Sequence, residues 1–86
     1  MRILFIGGLY RGWRLAQRLV GRGEELVGAF VYEEDPHESP KYSDQIVDVL
    51  SARTSDVQKS RRIKCEAIPQ IRRLAPDVIF CLGWRT

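Results

Sequence analysis

The 86 residues, 44% hydrophobic and 29% charged, suit one small globular domain and exclude a disordered tail, a low-complexity chain or several domains. No apolar run approaches the roughly 20 residues that a membrane span needs. Fourteen Lys and Arg against 11 Asp and Glu give a net charge of +3, which favours phosphate-bearing partners, but no dense basic patch or nucleic-acid module accompanies it.

The chain opens on Ile3, Leu4, Phe5 and Ile6, a continuous apolar run of the kind buried on both faces of a parallel sheet. Gly7 and Gly8 let the backbone turn sharply there. Helical spacing takes over from Trp13. A strand, a glycine turn and a helix N-terminus form a natural anion site, because the first helical N–H groups have no partner. The first helix is expected over about Gly12 to Val20, with Gly21 and Gly23 as stop signals. Trp13, Ala16, Leu19 and Val20 fall on one side of it, and Arg11, Arg14, Arg18 and Arg22 share another arc. That arginine stripe reads first as a solvated face and second as a binding surface, with only Arg11 beside the glycine turn.

Leu26 to Tyr32 reads as the second strand, followed by Glu33, Glu34 and Asp35. Pro36 and Pro40 then bracket His37, Glu38 and Ser39 in a loop. Ser43 is the expected N-cap of a second helix that turns Ile46, Val47, Val49 and Leu50 inward. Val57 to Ile63 is polar enough to be an edge strand, guarded by Lys59, Arg61, Arg62 and Lys64. A third helix is expected from Glu66 to Leu74, with Pro69 tolerated in its first turn and Ile68, Ile71 and Leu74 as its apolar face. Val78 to Leu82 is the last strand. It is wholly apolar and is therefore read as central, and Gly83, Trp84 and Arg85 begin a turn after it.

Alternating strands and helices with short connections predict an α/β fold, an open, doubly wound parallel sheet in the order 3-2-1-4. Its ligands would sit between strands 1 and 4, where Gly7 and Gly8 meet Gly83, Trp84 and Arg85. An apolar strand 4 at the end of that order leaves an open edge. Either a homodimer forms through it, or, as we prefer, the chain is the front of a larger sheet.

The individual motifs are sparse. Gly7 and Gly12 hold the first and last places of the dinucleotide fingerprint, with Glu33 or Glu34 where a ribose-binding acid would stand, but Leu9 replaces the middle glycine that lets pyrophosphate approach. No G-K-[ST] follows, so this is not a P-loop. His37 has too few ligand neighbours for a metal site and reads as a surface histidine. Cys81 reads as a small buried hydrophobe, and Cys65 lacks a partner base. Two cysteines without a C-x-x-C, behind an N-terminus unlike a signal peptide, point to a cytoplasmic protein with reduced thiols. Trp84 reads equally as a cover for a flat ligand and as a cap on the core.

Three segments, MRILFIGG, VGAFVYEEDPHE and PDVIFCLGWR, together resemble the N-terminal half of the formyltransferase superfamily. The resemblance implies a three-layer Rossmann-like domain over residues 1–86, truncated before its second half. It implies transfer of a formyl group from 10-formyltetrahydrofolate to an amine on methionyl-tRNA, an amino sugar nucleotide or a ribonucleotide. Gly7, Gly8, Leu9, Tyr10 and Arg11 match the turn that faces a phosphate-bearing small-molecule or tRNA acceptor. Phe80, Leu82, Gly83, Trp84 and Arg85 match the strand end and loop that begin the folate pocket. The family's catalytic Asn-His-Asp set lies beyond the segment matching Thr86, and His37 stands in the wrong segment to replace it. The chain alone is thus expected to be inactive. The alternatives are a stand-alone Rossmann-like nucleotide-binding module and an interaction domain that dimerises through strand 4.

Overall fold

The structure, a computed structural model, describes residues 2–34, 37, 41–60 and 67–82. Seven elements follow one another: β1 (Arg2–Gly7), α1 (Leu9–Gly21), β2 (Glu25–Tyr32), α2 (Ser43–Leu50), β3 (Val57–Ser60), α3 (Ala67–Leu74) and β4 (Val78–Leu82). The four strands form one sheet in the order β3-β2-β1-β4, and every neighbouring pair is parallel. This is the Rossmann-like order expected from the sequence.

Both faces of the sheet are covered, which explains the unbroken apolar run of β1. Ile3 and Phe5 face α1 and α2, where they pack with Ala16, Leu19, Leu26, Ala29, Val31, Ile46 and Leu50. Leu4 and Ile6 face α3, with Phe30, Ala67, Ile71 and Leu74. Three layers result. Phe5, Leu4, Ile46, Leu50 and Val31 are the largest fully buried side chains, each worth about 1.5–3 kcal/mol of transfer free energy. Leu26 and Ala29 reach the same face although three residues apart, because the register against β1 slips between Ile3 and Leu4. Val27 is the extra residue of that irregularity.

Several element ends differ from the sequence reading. α1 starts at Leu9, directly after Gly8, and runs through Gly21. Its true stop is Gly23 at φ 72°. There the Gly23 N–H donates to the Val20 carbonyl (3.0 Å) and the Glu24 N–H to the Leu19 carbonyl (3.2 Å), the paired bonds of a Schellman motif. Ser43 does not cap α2. Tyr42 is the N-cap residue, without a side-chain cap of its own, and Glu34 supplies the acceptor instead. In α3, Pro69 does fall in the first turn, but Ile68 is exposed, and Ala67, Ile71 and Leu74 make the inward face. β3 is an edge strand, described to Ser60. The expected guards Arg61, Arg62 and Lys64, the helix start at Glu66, Cys65, and most of the loop around Pro36 and Pro40 lie outside the described residues.

Among the described residues β4 has one neighbouring strand, as the expected order 3-2-1-4 places it. Ile79 is 49% and Phe80 and Leu82 are each 37% exposed. Cys81 is exposed rather than buried. At the opposite end of the strands, Arg2 holds β1, β4 and α3 together. Its backbone N–H donates to the Asp77 carboxylate (2.9 Å), and the Asp77 N–H donates back to its carbonyl (2.7 Å). Its guanidinium donates to the carbonyls of Leu74 (2.5 Å) and Ala75 (3.1 Å), a cation on the negative end of α3. No helix among the described residues is long and apolar enough to cross a membrane.

Candidate functional site

The carboxyl ends of β1 and β4 meet at the switch point of the sheet. Gly7 pairs with Leu82, and the Gly8 N–H donates to the Leu82 carbonyl at 3.1 Å. The two segments singled out in the sequence, Gly7 to Arg11 and the end of β4, are therefore joined by a backbone bond. Phe80 and Leu82 belong to this corner, while Gly83, Trp84 and Arg85 lie outside the described residues.

The glycines work differently from the sequence expectation. Gly8 is fully extended (φ −169°, ψ −175°), a conformation open to any residue. What it supplies is space, since a Cβ there would stand 2.4 Å from the Cβ of Tyr32. A Cβ on Gly7 would come within 2.6 Å of the Leu82 carbonyl oxygen. One on Gly12 would lie 3.1 Å from the Gly7 carbonyl carbon, so the head of α1 rests directly on the strand ends. This is the close-packing role of the last glycine in a dinucleotide turn. The reversal itself falls on Leu9, at φ 59°, a left-handed conformation that costs a branched residue about 1–2 kcal/mol.

Among the described residues no side chain caps the N-terminus of α1, and its first turn holds no acid. The N–H groups of Leu9, Tyr10 and Arg11 precede the first intrahelical bond, from Gly12 to the Gly8 carbonyl (2.9 Å). With Arg11 exposed beside them, they offer an anion both dipole and charge. Tyr10 (52% exposed), Trp13 and Tyr42 form a ring cluster on the α2 side of this head, with centroids 5.7–6.0 Å apart. The sequence reading missed the cluster. Tyr42 stands far from Tyr10 in the chain, and only the packing of α1 on α2 brings them together.

Glu34 is removed from the list of ribose-binding candidates. It is buried, and its carboxylate accepts the N–H bonds of Tyr42 (2.6 Å) and Ser43 (3.0 Å) at the head of α2. Glu33 remains exposed at the end of β2. A separate cavity of about 300 Å³ opens between α3 and the β2–β3 edge, lined by residues such as Phe30, Gln58, Gln70 and Arg73. None of the expected site residues that the structure describes lines it. His37 is exposed, and among the described residues no group of three or more His, Cys, Asp or Glu could hold a metal ion.

In chemical terms the corner can bind an anion against α1 and a flat apolar group against Phe80 and Leu82. The described residues of this corner, Gly7 to Arg11 with Phe80 and Leu82, include no histidine or carboxylate to take up an amine proton. No family model matches the chain, and no curated protein matches it.

Proposed function

We propose that this chain carries the acceptor-phosphate turn and the first part of the folate pocket of a formyltransferase that moves the formyl group of 10-formyltetrahydrofolate to an amine. The reading rests on one observation beside the sequence resemblance. The Gly8 to Leu82 bond joins the two segments that the family uses for acceptor and folate. The uncapped head of α1 and Arg11 suit the phosphate of a nucleotide, sugar nucleotide or tRNA acceptor. The exposed apolar surface of Phe80 and Leu82 suits a pterin ring. The role assigned to these residues is binding, and the proton transfers belong to groups elsewhere.

Calorimetric titration of the chain with 5-formyltetrahydrofolate, NAD+ and inorganic phosphate tests this. Saturable binding of the folate and phosphate, with phosphate weakened about tenfold by Arg11→Ala, is the expected result. Saturable NAD+ binding without folate binding would replace it with the nucleotide-module reading.

One observation favours a second reading, an interaction module: the apolar edge of β4 is open among the described residues. A second copy of this chain and an unlike partner would both satisfy that edge.

A further inference from the structure

α1 carries its charge on one side and in one sign. Its 13 residues include Arg11, Arg14 and Arg18 and no acid. At about 100° per residue these three stand about 140–160° round the helix from Ala16, which is fully buried, so they project outward. All three are exposed, and none makes an ion pair among the described residues. The arginines at the tail of the helix differ, because each has a local partner. Arg22 pairs with Glu24 (3.6 Å), and the Arg53 guanidinium donates to the Val20 carbonyl (3.3 Å).

The row works against the helix that bears it. Arg11 with Arg14, and Arg14 with Arg18, are like charges at the spacings of three and four residues that bring side chains together. Arg11 also sits in the first turn, at the positive end of the helix dipole, where an acid would be favoured and none is present. A merely solvated face does not need this, since charges of mixed sign solvate a helix equally well. A chain of negative charges laid along the row relieves all three conflicts. Along the axis Arg14 lies about 4.5 Å beyond Arg11, and Arg18 about 6 Å beyond Arg14, so successive anions of a polymer meet them better than one small anion.

An aromatic ring stands beside the row. Tyr10 is 52% exposed, yet Trp13 and Tyr42 hold its ring edge-on, with centroids 6.0 and 5.9 Å away. Arg14, four residues on, is its neighbour on the helix surface. Cations that track a backbone, beside a ring on which a base can stack, are the means by which single-stranded nucleic acids are held. A duplex would keep its bases from the ring, and an acidic polypeptide would leave the ring unused.

We infer that the outward side of α1 binds a single strand of nucleic acid, with its phosphates on Arg11, Arg14 and Arg18 and one base stacked on Tyr10. This goes beyond the folate reading and does not depend on it. The row is set by α1 itself, all of whose residues are described, and not by what lies beyond β4.

Fluorescence anisotropy of the whole chain with a labelled oligouridylate of about eight nucleotides, over a range of salt, is the measurement. The expected result is saturable binding whose logarithm falls against the logarithm of salt concentration with a slope of about −2, and of about −0.7 for Arg14→Gln/Arg18→Gln. Tyr10→Ala should weaken binding about fivefold or more and leave the slope unchanged. Should that variant not fold, because Trp13 and Tyr42 lean on the ring, Tyr10→Leu keeps apolar volume there and should show the same loss. Oligoglutamate that competes as well as unlabelled oligouridylate would identify an acidic polypeptide as the occupant and overturn the inference. So would a duplex that binds as tightly as the single strand, a slope that the double variant does not change, or a wild type without saturable binding. Arg14 and Arg18 lie outside the corner and folate is titrated separately, so either reading can fail without the other.

Discussion

Gly8 and Gly21 separate two reasons for a glycine. Gly8 has an ordinary extended backbone, and its hydrogen is required because Tyr32 occupies the space where a Cβ would go. Gly21, at the end of α1, has nothing within 4 Å of such a Cβ. Gly8→Ala is therefore expected to cost about 1–3 kcal/mol through overpacking. Gly21→Ala is expected to be neutral or to stabilise by up to about 1 kcal/mol. Urea unfolding midpoints of the two variants check this, and equal effects would contradict it. The sequence placed the corner at Gly7 and Gly8, whereas the reversal falls one residue on, at Leu9, and the glycines are there for space. Sequence records that a side chain is missing, while the atom that fills its place, Tyr32, comes from another strand. The left-handed backbone at Leu9 carries no sequence signal, because a leucine there violates the rule by which such positions are found.

Elements were legible where their signals are local. The apolar runs of β1, β2 and β4 and the arginine-free inner face of α1 follow from spacing alone, and each expected element exists in the expected order, with some ends shifted. The head of α2 was not legible. Serine is the usual cap and Ser43 stood at the right place, yet the acceptor comes from Glu34 on the loop after β2. α2 is also tied to β3 by the ion pair of Asp44 with Lys59. The hydrogen bond from Lys59, and then its charge, hold the Asp44 carboxyl below its ordinary 3.8. The pair's contribution is thus fully present above that value and fades as pH falls through the lowered one. The hydrogen bond to Asp44 holds the Lys59 ammonium above its ordinary 10.5, so on the alkaline side the contribution is present below 10.5 and fades as pH rises through the raised value. Both groups are substantially solvated, so the effect is small. Asp44→Asn should flatten the fall in stability at both ends of the pH range. Unchanged acid and alkaline limbs in denaturant titrations would mean that the pair contributes nothing.

For the molecule as a whole, strand order was legible and strand cover was not. Alternating strands and helices allow few right-handed parallel topologies, and the observed order is the common doubly wound one. Apolarity made β4 look central, but it reports only that side chains avoid water, not which neighbour shields them. Position in the sheet also sets a gradient of protection. β1 has strands on both sides and helices on both faces, whereas among the described residues β3 and β4 each have one neighbour. Hydrogen exchange should therefore be slowest at Leu4, Phe5 and Ile6 and faster by one or more orders of magnitude in β4. Equal protection of β4 would mean that its edge is already occupied in solution.

The clasp formed by Arg2 has a practical corollary. It anchors the start of the first strand at the floor of the molecule, beside the tail of the third helix. The corner made by Gly8 and Leu82 lies at the far end, about 16 Å along the sheet. A chain tethered to a sensor chip through an extension ahead of Arg2 would stand with that corner facing the flow, open to any analyte.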